Sequence, residues 1–251
     1  MQLAALHGHV MQDSLVLLDA TRAVLPEKLP PEYAGRSIYF ASLLKRLNAC
    51  TLPLGVYNTM VEDVSMTPNE VKMTAEWRPY RTRVRKGQNA DIRIRWHVHP
   101  SARRWMVTPT SWRHRRFYFW SFLMHELVHR HQDAARRKNT TSLVFKPTAE
   151  EKDLRAEQTY LGDFDEVEAY AHDIALEMVV WFPAMRYREA FQHMKTFHHR
   201  RITATYPGYA GVFGETPTHP AMRALRRKIH VWYRIMDQHR DTYQTLGLEP
   251  L

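Results

Sequence analysis

The sequence contains very little cysteine, since Cys50 is the only one among 251 residues. One cysteine cannot form an intramolecular disulfide, which excludes a disulfide-stapled scaffold and favours a reducing compartment such as the cytoplasm. No Lys or Arg precedes the first apolar residues, and the uncharged run 47–61 is too short and too polar to cross a bilayer. We therefore expect a soluble intracellular protein that does not act at a membrane. The gene could belong to a cellular genome or to a phage.

Acidic residues are too few to balance the basic ones. The chain has 36 Lys+Arg against 26 Asp+Glu, a net charge of +10 with 15 His counted as neutral. The excess is local, because residues 78–116 hold 12 Lys or Arg and one acidic residue, a net charge of +11. Such a block favours an anionic partner, either a nucleic acid or another polyanion.

Two alternating segments in this region predict a β-hairpin around a loop at 86–90. In the register that matches the apolar faces, Arg83 lies opposite Arg93 and Arg81 lies opposite Arg95. Cross-strand pairs of like charge are destabilising, and a bound anion would remove that cost. The candidate polyanion-binding residues are Arg81, Arg83, Arg85, Arg93 and Arg95. The structural alternative is a solvated face that protects the sheet from aggregation.

Long structureless linkers and internal repeats are also lacking, so we expect one domain over residues 1–251. Its parts are an N-terminal helical packing segment at 1–60, a core at 70–182, and a C-terminal helical segment at 183–251. Periodicity predicts helices at 12–25 and 33–48, the latter with a stripe of Ile38, Ala41, Leu44 and Leu47, and strands at 71–78 and 91–98. After residue 110 the pattern is helical, with breaks at 136–158 and 203–220.

The clearest chemical motif is the pentad His125-Glu-Leu-Val-His129. On a helix, positions i and i+4 lie on one face, so the two imidazoles can converge on one Zn²⁺ ion. Glu126 can take a proton from a metal-bound water and so act as a general base. The preceding sequence FYFWSFLM is apolar on every face, as expected of a helix that runs through a core. His131 is predicted to point away from the pair.

A strand followed by an HExxH helix resembles the zincin metallopeptidases, and strand 91–98 could act as an edge that pairs with an extended peptide. A catalytic zinc needs a third protein ligand. In the glutamate-ligand zincins, such as thermolysin and the CAAX-type proteases, that ligand is the Glu of an E-x-x-A/S-D pattern on a second helix. Residues 163–178 are predicted to be helical and contain Glu166-Val-Glu-Ala169, with Tyr170 at the usual Asp position.

The resemblance implies Glu166 as the third metal ligand, although Glu168 also begins an E-x-x-A pattern. Asp173 could replace the missing Asp as the acceptor for a ligand histidine. The structural alternative is that both glutamates only oppose the dipole of their helix.

His219 belongs to a T-H-P turn before an amphipathic helix, and this turn is similar to one in CAAX-type proteases. A functional interpretation has His219, Tyr206 or Tyr209 donate a hydrogen bond to the oxyanion that forms during hydrolysis. The structural interpretation has His219 start the helix, with Pro220 at its first position.

The fold class expected from these features is α+β and zincin-like, with a small, mostly antiparallel sheet packed on the HExxH helix. The function expected is that of a zinc metallopeptidase with one Zn²⁺ ion and a protein or peptide substrate. Two alternatives remain. One is a basic nucleic-acid-binding protein with a structural or degenerate zinc site, and the other is a phage or virion-associated assembly protein that keeps the zincin shape.

Overall fold

The structure is a computed structural model that describes residues 3–26, 28–68, 70–77, 92–102, 104–135, 144–196 and 205–244. The chain divides into two compact units, Met1–Ala134 and Ala135–Leu251. All strands of the described residues belong to the first unit, and the second is built from helices, which confirms the α+β class. No helix in these ranges has both the length and the apolar composition needed to cross a membrane. The single domain stays a prediction.

The described residues of the first unit form three α-helices and five short strands. In chain order they are α1 (Leu3–Thr21), β1 (Ser37–Tyr39), α2 (Phe40–Thr51), β2 (Val56–Glu62), β3 (Val71–Trp77), β4 (Ile92–Val98), β5 (Arg104–Met106) and α3 (Pro109–Ala135). Strands β1 and β5 form an antiparallel pair, and the other three form a sheet in the order β2-β4-β3. In that sheet β2 runs parallel to β4 and β3 runs antiparallel to it.

Strand β4 has the alternating pattern that the sequence predicts. Ile92, Ile94, Trp96 and Val98 are each at most 1% exposed, while the basic residues between them are partly exposed. The indole of Trp96 lies 6.2 Å from the ring of Phe119 in α3, measured between ring centroids. The sheet therefore packs its apolar face on the helix that carries the HExxH motif.

The predicted hairpin register is wrong. Arg93 lies opposite Glu76 and Arg95 lies opposite Thr74, rather than opposite other arginines. The carboxylate of Glu76 is 2.6 Å from Arg95 Nη2 and 3.8 Å from Arg93 Nη1. The sequence pattern admits both registers because apolar residues alternate on each side of position 78, but only the observed one neutralises charge across the strands.

The prediction of a peptide-binding edge at residues 91–98 is also wrong. Because β4 lies between β2 and β3, both of its edges already carry main-chain hydrogen bonds. Among the described residues, the outer strands of this sheet are β2 and β3 instead.

Sequence periodicity does not predict β2, because its inward face contains a polar residue, Asn58, which is 1% exposed. The side chain of Asn48 satisfies the Asn58 backbone, accepting from its N–H at 2.7 Å and donating to its carbonyl at 2.8 Å. Thr51 and Trp96 also hydrogen-bond the Asn58 side chain. A buried asparagine is stable when its hydrogen bonds are made, and here they join β2 to α2.

Helix α3 is the core of the first unit. Its aromatic residues Trp112, Phe117, Phe119 and Trp120 are at most 2% exposed, as the apolar sequence predicts. The helix also binds the N-terminal segment through polar contacts. Trp112 Nε1 donates to the Pro26 carbonyl at 3.1 Å, and Arg116, 3% exposed, donates to the Leu25 carbonyl at 3.1 Å.

The second unit contains α4 (Lys152–Leu161), α5 (Phe164–Trp181), α6 (Tyr187–Thr196), α7 (Thr205–Phe213), α8 (Pro220–Asp237) and α9 (Arg240–Gln244). Helix α5 is its centre, with every residue from 171 to 181 buried. It packs on α8, where the ring of His172 meets Trp232 edge-on at 4.8 Å.

Three helical predictions need correction. Residues 37–39 form β1 instead of helix. The buried stripe of α2 consists of Phe40, Leu43, Leu44 and Leu47. Ala41, which was predicted to belong to this stripe, is exposed. Residues 152–158 were predicted to be a break but belong to α4. Residues 205–213 were predicted to be a loop but form α7, because Pro207 lies in its first turn, where a backbone N–H is not needed.

Candidate metal site

The HExxH residues lie in the buried middle of α3. His125 and Glu126 are 9% and 8% exposed, and His129 is partly buried one turn later. The two imidazole rings meet edge-on with their centroids 4.8 Å apart, and their Nε2 atoms are 3.1 Å apart. The structure thus brings together the two histidines that the spacing predicts to be neighbours.

The distance between these two nitrogens fits a shared zinc ion. At Zn–N distances of about 2.0–2.1 Å and a tetrahedral angle, two ligand nitrogens lie about 3.3 Å apart. The observed 3.1 Å therefore needs only a small adjustment. On the other side of the His129 ring, Nδ1 lies 3.0 Å from the Gln132 carboxamide oxygen. Sequence reasoning missed Gln132, although its i+3 spacing from His129 could have indicated it.

The residues that follow the motif join α3 to α1. His131 Nε2 is 2.9 Å from the Asp13 carboxylate, and Arg130 Nη1 is 3.7 Å from the same carboxylate. Arg130 also donates to the Leu54 carbonyl at 3.2 Å. His131 therefore points away from the His125–His129 pair, as expected, and helps to fix the end of the helix.

Glu166 and Glu168 lie in the first turns of α5, in the second unit. Asp163 caps this helix by accepting a hydrogen bond from the Asp165 N–H at 2.8 Å. Glu168 is buried and its carboxylate already has two partners on α8, an ion pair with Lys228 and a 2.7 Å hydrogen bond from Trp232 Nε1. Positions 166 and 168 differ by about 200° around a helix, so Glu166 lies on a different face from these contacts.

Asp173 is also buried in α5, where its carboxylate lies 3.4 Å from His172 Nδ1. Its predicted role as the acceptor for a ligand histidine stays a prediction. Glu177 is a third buried carboxyl on this helix, and no sequence motif indicates it. Thr205 donates to it at 2.9 Å, and burial raises the pKa of Glu177 well above its ordinary value.

The three candidate oxyanion donors of the second unit all have structural contacts. Tyr209 donates to the Leu161 carbonyl at 2.9 Å, and the Tyr206 hydroxyl accepts from Arg226 at 2.9 Å. His219 Nδ1 accepts from the Ala221 N–H at 3.1 Å, and Pro220 is the first residue of α8. The structural interpretation of His219 as a helix-start residue is confirmed. Roles of Tyr206 and His219 in catalysis stay predictions.

The N-cap of α8 makes the stability of the chain sensitive to pH. Burial lowers the pKa of His219 below the ordinary value of 6.5. Its contribution is therefore present above the unfolded pKa and is lost as the pH falls through the folded pKa, since protonated Nδ1 cannot accept a hydrogen bond. We expect His219→Ala to lower the free energy of unfolding by about 0.5–2 kcal/mol at neutral pH. Urea unfolding should show a smaller deficit at about pH 5. An equal deficit at both pH values would contradict the capping role.

Of the candidate polyanion-binding residues, Arg81, Arg83 and Arg85 lie outside the described residues. Arg93 and Arg95 are about one-third exposed and share the Glu76 carboxylate. The like-charge argument for a bound anion therefore does not apply to these two. The positive charge is still distributed unevenly along the chain, because residues 1–134 carry 19 Lys+Arg against 11 Asp+Glu, which is +8 of the total net charge of +10. An anionic partner stays a prediction.

Comparisons with protein-family models, with curated proteins and with solved structures found no match to this chain.

Proposed function

We propose that the chain is a zinc-dependent metallopeptidase of the glutamate-ligand zincin type. His125, His129 and Glu166 would bind the metal, and Glu126 would act as the general base. The observation that carries this proposal is the pairing of His125 Nε2 and His129 Nε2 at 3.1 Å on a buried helix. Two imidazole nitrogens at this separation fit the coordination sphere of a single zinc ion.

The donor set suits zinc in its catalytic form. Each histidine offers an imidazole nitrogen and Glu166 offers a carboxylate oxygen, which is the two-histidine, one-glutamate set of catalytic zinc sites with one open position. Glu168 is the weaker candidate because its carboxylate is held by Lys228 and Trp232. Moving it away from those partners would break the ion pair with Lys228 and the hydrogen bond from the buried Trp232 Nε1, and that is costly.

The chemistry divides between the metal and the chain. A zinc ion with an open position lowers the pKa of water and polarises the scissile carbonyl. Glu126 follows His125 directly on α3, and in this proposal its carboxylate accepts a proton from the attacking water and passes it to the leaving amine.

The architecture of the first unit agrees with this proposal. A three-stranded sheet with one antiparallel and one parallel pairing packs on the motif helix, and a small sheet against the HExxH helix is what the resemblance to zincins implies. An extended peptide would be accepted at β2 or β3, the outer strands of this sheet in the part of the chain that the structure describes.

Metal content is the first test. The full-length protein should bind one zinc per chain and hydrolyse an unstructured protein such as casein. His129→Ala should lose both properties, because two ligands rarely retain zinc against a chelator. His230→Ala is the matched control, since His230 is an exposed residue of α8 whose ring lies 4.6 Å from that of Tyr187, measured between ring centroids. A folded wild-type chain that takes up no zinc would overturn the proposal.

A further inference from the structure

A side chain that neither the motif nor the resemblance indicates lies behind His129. Gln132 follows one turn later on α3 and is 8% exposed. Its carboxamide oxygen, Oε1, lies 3.0 Å from His129 Nδ1. We infer that Gln132 is a positioning residue that holds His129 in the one tautomer able to bind the metal. This inference rests on the proposed function.

The tautomer follows from which atoms can donate. A carboxamide oxygen only accepts hydrogen bonds, so His129 Nδ1 must carry the proton. A neutral imidazole protonated at Nδ1 has its lone pair on Nε2. That is the atom which faces His125 Nε2. The hydrogen bond to Gln132 therefore selects the nitrogen and also fixes the plane of the ring.

The turn of α3 that carries Gln132 is fixed by contacts of the neighbouring residues Arg130 and His131. His131 and Arg130 contact Asp13, and Arg130 also reaches the Leu54 carbonyl. These contacts fix the last turns of α3 against α1 and against the turn before β2. The Gln132 amide is thereby held at a set distance from His129 rather than on a fraying helix end, which is what an orienting group requires.

An amide in this position has a different consequence from a carboxylate. A carboxylate acceptor would make the imidazole a stronger ligand, whereas the amide orients it without adding negative charge. Sequence reasoning assigned an acceptor of this kind to Asp173, and the structure has Gln132 in that role for His129. We therefore expect zinc affinity to increase when the residue at position 132 carries a negative charge.

The experiment measures zinc affinity of the full-length chain by competition with a chromophoric chelator. Gln132→Leu keeps the volume and removes the acceptor, so the dissociation constant should rise about 10- to 100-fold. Gln132→Glu should bind zinc more tightly than the wild type. Absorption of the Co²⁺-loaded proteins gives an independent readout, because a misoriented imidazole changes the ligand field.

Gln158→Leu is the matched control. Gln158 is also a buried glutamine, 4% exposed, whose amide oxygen accepts from the Thr148 and Ala149 N–H groups. Its replacement should lower stability and leave zinc affinity unchanged. If Gln132→Leu and Gln132→Glu both bind zinc as the wild type does, the positioning role is wrong while the proposed function stands. If the folded wild type binds no zinc, both fail.

Discussion

Glu126→Gln is expected to abolish peptide hydrolysis while one zinc per chain stays bound. The amide has nearly the shape of the carboxylate but cannot accept the proton of the attacking water. General-base catalysis contributes about 10²- to 10⁴-fold, so the rate should fall at least that far. Glu126 is not a proposed ligand, and His125 and His129 keep their contact on α3. Hydrolysis of a fluorogenic peptide mixture and metal analysis of the same sample measure the two properties.

Glu157→Gln provides the control for this variant, because Glu157 is an exposed residue of α4 with the same chemical change. It should keep full activity. Retention of wild-type hydrolysis by Glu126→Gln would show that Glu126 is not the base. Loss of zinc together with activity would instead point to a structural role in the metal site.

The second prediction with a large expected effect concerns which glutamate, Glu166 or Glu168, is the third metal ligand. Glu166→Ala should lose zinc, with little change in the free energy of unfolding of the metal-free chain. Glu168→Ala should keep zinc but destabilise the chain by about 1–3 kcal/mol, because Lys228 and Trp232 lose their acceptor. Lys228 is 24% exposed, and water will partly replace the lost partner.

Chelator competition and urea unfolding of the metal-free proteins distinguish the two carboxylates. The reverse pattern, with zinc lost in Glu168→Ala and kept in Glu166→Ala, would move the third ligand to Glu168. It would also mean that the ion pair with Lys228 opens when metal binds.

Strong, continuous hydrophobic patterns allowed the central elements to be predicted. The apolar run before His125 and the buried stripe of 163–178 both correspond to helices that form the core of their units. Strand β4 was predictable because its alternation is strict. The His125–His129 contact was predictable as well, since it depends only on the geometry of one helix.

The remaining features depend on partners distant in the chain. The polar residue Asn58 interrupts the apolar alternation of β2. Its burial is stable only because Asn48 and Thr51 supply hydrogen bonds. The position of Glu76 opposite Arg93 follows from a register that local alternation does not fix. Likewise, the different surroundings of Glu166 and Glu168 follow from the packing of α8, about 60 residues later. Sequence periodicity contains none of these relationships.

The ties between the N-terminal segment and α3 also affect how the first unit folds. Trp112 and Arg116 bind carbonyls 86 and 91 residues earlier, and His131 binds a carboxylate 118 residues earlier. Contacts across such long loops form late, because chain entropy is lost before they contribute stability. During synthesis the contact between Asp13 of α1 and His131 cannot form until residue 131 has left the ribosome, and the contacts to Pro26 and Leu25 cannot form until residues 112 and 116 have. The attachment of α1 to α3 is therefore completed only near the end of the translation of the first unit.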